Sequence, residues 1–307
     1  MIQRLLPFLT LIALFVALSI ASPFFLTGTN LSSLVRQTAV INIMALGMTV
    51  IIIAGGIDLS VGSILALAGL LGTMQMQHNG PIWLGMTVGI AMGALCGLAN
   101  GLMTTALKIN PFIVTLGTMG IFRGLALVIS KGLPIHDVPP RFAFLGDGNL
   151  LHVPFVLWIL LLCAVIVHVM LEHTRLGRYA FSIGSNEGAA FYAGVPVGLV
   201  VTVVYGIGGL LTGLAGMIEA SRLMTGQPTG GQGYELTAIA AVVIGGGSLR
   251  GGEGGVVGTL VGAFIMGLLA NGAVLLGIDV YWQQVIIGAV IILAVSVDEF
   301  RKRRAAA

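Results

Sequence analysis

The chain has 307 residues, of which 57% are hydrophobic and 8% charged, and its formal net charge is +3. A mean hydropathy of +1.06 excludes a soluble globular domain, because too few polar residues remain to cover a water-facing surface. A membrane-spanning helix needs about 20 apolar residues, so this length allows roughly ten spans with short connections. Any ATPase or receptor domain is therefore expected on another chain.

Apolar runs bounded by Gly, Pro, Asn or charge predict the spans in chain order. They cover 5–26, 34–54, 61–77, 82–107, 112–131, 152–173, 199–221, 234–247, 255–276 and 281–299. The first run is interpreted as a membrane helix rather than a signal peptide, because it continues into a multispanning pattern. The eighth run is too short for a full hydrocarbon core. It is either a half-helix or a span completed by protein-lined backbone.

The placement of the cations predicts the orientation of the chain. With ten spans both termini lie on one side, and the run from Arg301 to Arg304 favours the cytoplasm for that side. On this topology nine of the fourteen Lys and Arg residues lie inside, whereas four, including Arg36 and Lys131, lie outside. The sequence thus predicts a multi-pass membrane protein with cytoplasmic N- and C-termini.

An internal repeat is suggested at an offset of 171 residues. Residues 98–101 (LANG) recur at 269–272, and the same offset lays the glycine-rich stretch 55–62 over 226–233. Five spans separate the matched segments, and an odd number inverts the second copy, as in many transporters. A chain rich in Gly, Ala and Leu also gives chance matches, and a rival alignment pairs 55–56 with 245–246. The inverted repeat therefore remains one of two interpretations.

The first candidate site is a glycine-rich break at residues 54–63, between the second and third spans. Glycines let the backbone leave a helix, and the freed amide and carbonyl groups then need water, protein or ligand partners. One interpretation is that Asp58 or Ser60 caps the next helix. The other is a translocation pathway or gate, which would include Gly55, Gly56, Asp58, Ser60 and Gly62.

A second break, at residues 225–235, precedes the short eighth run. It is polar, carries no charge before Glu235, and faces outward on the predicted topology. Gln and Thr side chains with exposed backbone suit neutral, hydroxylated ligands. We therefore assign Gln227, Pro228, Thr229 and Glu235 to the pathway, with a flexible loop as the alternative.

Two other segments lie inside on this topology. Residues 186–192 favour a short amphipathic helix whose small residues allow close approach to a partner, with a bland surface loop as the alternative. Residues 245–255 are glycine-rich but lack the G-x-x-x-x-G-K-S/T order of a phosphate-binding loop. This excludes a nucleotide site and favours a hinge or gate, to which we assign Gly245 and Gly246.

Arg123 lies inside the fifth span, where an unpaired charge is costly, so it is a functional candidate by default. A structural ion pair or a clamp on backbone carbonyls is the alternative. Glu219 and Arg222, at i and i+3, are predicted to neutralise each other. No nucleophile and base set, paired carboxylates or metal-ligand spacing is visible, so we predict no catalytic residue, no metal and no cofactor.

Several of these stretches together resemble the ribose-type permeases of bacterial ABC importers. They are residues 47–49 with 56–63, residues 184–190, residues 227–236 and residues 238–246. The likeness runs from about residue 38 to the end of the chain, and jointly the motifs are specific. Gly188 departs from the family pattern, in which Ala is expected at this position. Glycine in place of Ala is expected to loosen the local helix.

The resemblance implies one transmembrane permease domain, 1–307, with about ten helices in a fold like that of the vitamin B12 permease. It implies a bacterial inner-membrane assembly with a second permease copy, as a homodimer rather than a heterodimer, a cytoplasmic ABC ATPase and a periplasmic sugar-binding protein. It further implies that the inner loop, about 174–198, couples the chain to the ATPase. The residues assigned to this coupling are Arg178, Asn186, Glu187, Ala189, Ala190, Tyr192 and Gly194.

The predicted function is the membrane subunit of an importer that moves a monosaccharide or similar small polyol into the cytoplasm, without enzymatic activity and without nucleic acid partners. A branched-chain amino-acid-type ABC permease is the nearest alternative. An ion-coupled secondary transporter needs buried charges on its pathway, and Arg123 is the sole convincing one. An intramembrane enzyme lacks its catalytic set. The sugar cannot be identified, because selectivity is expected mainly in the binding protein.

Overall fold

A computed structural model describes residues 2–279, 281–290, 292, 293 and 296, so the Arg301 to Arg304 run lies outside the described residues. The chain is an all-α membrane protein with one short β-hairpin. Its elements are α1 (Ile2–Ala21), α2 (Gly28–Ile53), α3 (Val61–Met76), η1 (Gln77–Asn79), α4 (Ile82–Ala106), α5 (Pro111–Ser130), η2 (Pro140–Phe142), α6 (Ala143–Asp147), β1 (Asn149–Leu150), β2 (Val153–Pro154), α7 (Phe155–His173), α8 (Arg175–Ser185), α9 (Glu187–Tyr192), α10 (Val197–Leu223), α11 (Tyr234–Ile244) and α12 (Val256–Leu275). Residues 281–290 are also helical.

Among the described residues, six helices are long and apolar enough to cross a membrane: α2, α4, α5, α7, α10 and α12. The helix α11 has 11 residues. At 1.5 Å per residue it covers about 16 Å, roughly half of a hydrocarbon core. Shifting the first residues of α2, α3 and α4 by 171 gives 199, 232 and 253, against 197, 234 and 256 for α10, α11 and α12.

The central helix of the bundle is α2. In α2, 83% of the most hydrophobic window is buried, against 28% in α4 and in α5. It packs against α10, α12, α7 and α11. Gly47 of α2 meets Gly208 of α10, whereas Gly56, beyond the end of α2, meets Tyr205. Because residue numbers rise in one helix as they fall in the other, α2 and α10 are antiparallel.

The helices α4 and α10 touch backbone to backbone. Gly93 of α4 lies against the carbonyl oxygen of Gly209, and Gly97 lies against that of Tyr205. A Cβ atom added at Gly213 of α10 would be 2.9 Å from the carbonyl oxygen of Gly89. Small residues permit such close approach in membranes, where packing and hydrogen bonds replace the hydrophobic effect between helices.

The two ends of the bundle differ in structure. The hairpin end carries the loop 131–154 with β1 and β2, and Arg36 of α2 forms an ion pair with Asp147 there, at 3.3 Å. Ile135 in this loop forms an isolated β-bridge with Gly226. The opposite end carries α8, α9, the break after α2 and the loop 245–255. These two ends position the candidate site between them.

Candidate translocation site

The break after α2 is closed by the carboxylate of Asp58, which is fully buried. Its Oδ1 atom accepts hydrogen bonds from the backbone N–H of Ser60, at 2.8 Å, and from the Ser60 hydroxyl, at 2.6 Å. Ser60 occupies the position before α3 and makes no side-chain cap bond. The prediction that Asp58 or Ser60 caps the next helix is therefore wrong, because the carboxylate closes a local turn instead.

Three residues from other helices hold this break, and the sequence analysis did not select any of them. Asn100 of α4 donates to the Ser60 hydroxyl at 2.8 Å and to Asp58 Oδ2 at 3.3 Å. Tyr205 of α10 and Thr115 of α5 donate their hydroxyls to the carbonyl oxygen of Ile57, at 3.1 Å and 3.2 Å. A freed backbone carbonyl is thus satisfied by protein, as it must be in a bilayer.

The second break forms the segment that we call the inserted segment, residues 224–233. It begins at the hairpin end, where Gly226 pairs with Ile135, and runs into the bundle. There Nη1 of Arg123 donates to the carbonyl oxygens of Pro228 and Gly230, at 2.8 Å each. Arg123 is therefore a clamp on backbone carbonyls, one of the alternatives that the sequence left open.

The two breaks meet at Gly62, in the first turn of α3. The carbonyl oxygen of Gly231 occupies the space that a Cβ atom of Gly62 would need, and Glu235 Oε2 lies 2.5 Å from that position. Glu235 Oε1 accepts from the backbone N–H of Gly233, at 3.2 Å. Contact this close requires glycine at position 62. The structure thus joins Gly62 of the first predicted set to Glu235 of the second.

The predicted pair Glu219 and Arg222 is confirmed, with 3.0 Å between Arg222 Nη2 and Glu219 Oε1. Glu219 is buried rather than at the surface. The hydroxyl of Tyr234 also donates to Glu219 Oε1, at 3.3 Å. The pair therefore links the end of α10 to the first residue of α11.

Two cavities are lined in part by residues that were assigned to the pathway or to coupling from the sequence. One, of about 350 Å³, is lined by Gln227 and Thr229 of the inserted segment together with Glu219. The other, of about 480 Å³, lies near the opposite end and is lined by Gly55, Gly56 and Glu187. Gly245 and Gly246 line neither cavity. They form the turn after α11, where Gly245 packs against Gly258 of α12.

Three glycines join three segments at the opposite end. A Cβ atom at Gly251 would lie 2.8 Å from the Cα of Gly184 and 2.9 Å from that of Gly55. The backbone N–H of Gly252 donates to the carbonyl oxygen of Ile53, at 2.9 Å. The end of α8, the break after α2 and the loop 245–255 therefore interlock. We call Gly55, Gly184 and Gly251 the glycine junction.

The short helix α9 follows directly on this junction. The Asn186 side chain caps it by accepting from the backbone N–H of Ala189, at 2.9 Å. Tyr192 is 90% exposed and Phe191 is 66% exposed, whereas Ala190 is buried. Ala190 is therefore not a contact residue, which corrects the assignment from sequence, and it anchors α9 to the core.

The other residues assigned to coupling lie at the surface of the same loop. Arg178, Glu187 and Ala189 are exposed. Gly194 has a φ of +84° with open space around it. These positions leave one face of the loop open to a partner.

One of the residues that were missed, Asn100, could have been recognised from the sequence. Asn100 is a lone polar residue in an apolar run and belongs to the repeated LANG motif, so its polarity within a span marks it as functional or structural. Tyr205 and Thr115 lie in apolar runs with no neighbouring motif. Gly184 stood in a stretch quoted for its family likeness, but its contacts are long-range.

The chain is similar to proteins of known families. The family described as "Branched-chain amino acid transport system / permease component" matches residues 30–295. The ribose import permease protein RbsC of Bacillus subtilis (strain 168) is 46% identical over 306 residues, which is 99% of this chain and 94% of that protein.

Two proteins of Escherichia coli (strain K12) are also similar. Its ribose import permease protein RbsC is 43% identical, with 94% of this chain and 92% of that protein covered. Its D-allose transport system permease protein AlsC is 35% identical, with 94% and 89% covered. No solved structure matches the chain.

Proposed function

We propose, because the chain belongs to the family of permease components of branched-chain amino acid transport systems, that it is the membrane-spanning subunit of an ATP-driven importer of a monosaccharide or similar small polyol. Relatives at 43% and 46% identity over nearly the whole chain are named ribose import permeases. A third is named for D-allose transport. The proposal gives this chain the transport pathway and leaves ATP hydrolysis to a separate subunit.

The observation that carries the proposal is the form of α9. It is a rigid, capped helix, anchored by Ala190, that exposes two adjacent aromatic rings. Aromatic residues are preferred anchors at protein interfaces, and two such rings on a loop outside the membrane suit contact with a cytoplasmic ATPase. In this proposal the coupling contact is formed by Arg178, Asn186, Glu187, Ala189, Tyr192 and Gly194.

The glycine junction supports a mechanical link from that contact to the pathway. It ties α8, which leads into α9, to the break after α2 through backbone contacts. Where two backbones touch at glycines, no flexible side chain lies between them, so a displacement of one segment directly moves the other. In this proposal the pathway and gate include Gly55, Gly56, Asp58, Ser60, Gly62, Gln227, Pro228, Thr229, Glu235, Gly245 and Gly246, with Arg123 fixing the inserted segment.

A sugar fits the inserted segment better than an amino acid does. A zwitterion needs charged partners, and the charged side chains beside this segment already have partners: Glu219, which lines the 350 Å³ cavity, is paired with Arg222. Arg123 is bound to two carbonyl oxygens and Glu235 to the N–H of Gly233. The amide of Gln227 and the hydroxyl of Thr229 remain beside the 350 Å³ cavity.

The proposal also covers the arrangement in the membrane. The chain forms one permease domain, 1–307, of about ten helices as an inverted repeat, in a fold like that of the vitamin B12 permease. Both termini lie in the cytoplasm, a periplasmic sugar-binding protein delivers the substrate, and a second copy completes the pathway. The open space beside Gly117, Gly120 and Gly124 on one face of α5 supports close approach of that copy.

Cysteine labelling tests the orientation. The native Cys96 and Cys163 are buried and give little background. In intact cells a membrane-impermeant thiol reagent should label Leu133→Cys at the hairpin end and should not label Ala193→Cys beside α9. Labelling of Ala193→Cys from outside contradicts the topology.

Uptake experiments test the function. Cells that carry this chain with its partner ATPase and binding protein should import radiolabelled D-ribose, D-allose or L-arabinose, and should not import L-leucine. The purified chain alone should neither bind nor hydrolyse ATP. Import of L-leucine without any of the sugars, or micromolar nucleotide binding by the chain alone, refutes the proposal.

A further inference from the structure

A third cavity, of about 650 Å³, lies between α2, α11, α12 and the helical residues 281–290. Its volume falls within the range of about 300–1,000 Å³ that is typical of small-molecule sites. None of the residues assigned to the pathway from the sequence lines it. The cavity borders the one of about 350 Å³, since Gln232 and Tyr234 line both, and it shares no lining residue with the one of about 480 Å³.

The lining of this cavity is unusual for the chain. Four glutamines, Gln37, Gln232, Gln283 and Gln284, contribute to it, although the whole sequence contains eight. They come from three separate parts of the chain. Thr237 of α11 adds a hydroxyl, and the described residues that line the cavity include no charged side chain.

The chemistry of such a lining selects its ligand. A carboxamide carries both donors and an acceptor, and so it pairs with a hydroxyl, which also donates and accepts. Amides within a membrane avoid the high cost of buried charge. Ile41, Met266 and Ile287 supply apolar wall for the carbon face of a ring. A charged or zwitterionic ligand would find no counter-charge among these lining residues.

We infer that this cavity is a transit site for the sugar, in which Gln37 and Gln284 hydrogen-bond the hydroxyls of the passing ring. The inference rests on the proposed function, since it names the place where the proposed substrate binds. Gln283 has a structural bond, because its side-chain amide donates to the carbonyl oxygen of Ile278 at 3.3 Å. Gln37 and Gln284 are both exposed and are the residues to vary.

The test uses the complete transporter in proteoliposomes, with D-ribose, D-allose and L-arabinose as probes. Gln37→Leu and Gln284→Leu remove the amide at similar volume, and Gln75→Leu, on an exposed glutamine of α3 outside the cavity, is the matched control. The readout is sugar imported per ATP hydrolysed, together with the melting temperature. A merely structural role would lower the melting temperature or both rates, whereas a transit site lowers the ratio alone.

We expect each cavity variant to reduce the sugar imported per ATP hydrolysed by about fivefold or more. In the variant, a hydroxyl of the sugar gives up its hydrogen bond to water and finds no amide to replace it. Gln75→Leu should match the parent. If the double variant Gln37→Leu with Gln284→Leu imports as the parent does, the transit site is wrong and the proposed function stands. If the parent imports none of the three sugars, the proposed function itself fails.

Discussion

The side-chain amide of Asn100 donates a 2.8 Å hydrogen bond to the hydroxyl of Ser60, a residue 40 positions earlier in the chain. The same amide reaches Asp58 Oδ2, at 3.3 Å. Among the described residues, Asn100 of α4 thus supplies the one side-chain donor from another helix to the buried carboxylate of Asp58. The break after α2 depends on that donor for its shape.

The first prediction concerns this donor. Asn100→Leu should lower the free energy of unfolding by about 1–3 kcal/mol, because it leaves a buried carboxylate oxygen without a partner. Asn271→Leu is the matched control, since Asn271 is the asparagine of the second LANG sequence, at 269–272, and bonds to the neutral Asn30. Denaturation of both variants in detergent gives the comparison. Equal losses would contradict the role of Asn100.

The second prediction concerns the clamp on the inserted segment. Arg123→Met removes two charge-assisted hydrogen bonds, each worth about 1.5–3 kcal/mol, and a loss of about 1.4 kcal/mol corresponds to a tenfold change in population. Sugar uptake should therefore fall about tenfold or more at equal amounts of protein in the membrane. Arg141→Met, on an exposed arginine of η2, should keep parental uptake. An Arg123→Met variant with full uptake rules out the clamp as a requirement.

The third prediction compares two neighbouring alanines of α9. Ala190→Asp places a carboxylate in the core and should destabilise the fold by about 3 kcal/mol, since a buried charge loses its hydration. Ala189→Asp adds the same charge at an exposed position and should leave the melting temperature within error of the parent. Thermal unfolding in detergent measures both. A stable Ala190→Asp protein would show that α9 is not anchored as described.

The fourth prediction concerns the exposed ring of Tyr192. Tyr192→Ala should weaken association with the ATPase by about tenfold or more, because interface aromatic residues often contribute about 2 kcal/mol. The melting temperature of the chain alone should not change, as the side chain is 90% exposed. Trp83→Ala, at a 69% exposed ring of α4, is the control. If the ATPase co-purifies with the Tyr192→Ala variant as it does with the parent, Tyr192 does not form the contact.

The fifth prediction separates backbone strain from contact at the glycine junction. Gly251 and Gly246 have φ angles of +87° and +92°, so alanine suffers similar strain at each, about 1–2 kcal/mol. A Cβ atom at Gly251 also meets the Cα atoms of Gly184 and Gly55, whereas at Gly246 nothing lies within 4 Å. Gly251→Ala should therefore melt at the lower temperature and lose more uptake. If Gly246→Ala melts at the lower temperature and loses more uptake, the contacts of the glycine junction are not what makes position 251 sensitive.

Local sequence patterns predicted the helices well. Nine of the ten apolar runs contain a helix, as do residues 281–290 of the tenth, and α3, at Val61–Met76, lies within one residue of the predicted 61–77. Six of the described helices are long and apolar enough to cross a membrane, so the count of ten spans stays a prediction. The reason is that composition alone separates a lipid-facing helix from its polar connections. The short eighth run was also predicted, although α11 ends at Ile244 rather than at 247.

Contacts between distant parts of the chain could not be predicted. Arg123 meets Pro228 across 105 residues, and no local pattern names such a partner. The cap at Ser60 was wrong because the Ser60 hydroxyl donates to the Asp58 carboxylate two residues earlier and makes no bond to the first turn of α3. The six residues of α9 give too short a pattern to decide which alanine faces the core.

The backbone contact between α4 and α10 has a genetic consequence. Any base change at the first or second position of a glycine codon removes the glycine, and at Gly93 or Gly97 every replacement residue adds atoms where a carbonyl oxygen of α10 already lies. A random mutation library should therefore be depleted at these codons more strongly than at those of Gly117 and Gly120, whose surroundings within one chain are open. If the α5 codons prove equally depleted in cells, the cause must lie outside the single chain, in whatever packs against α5.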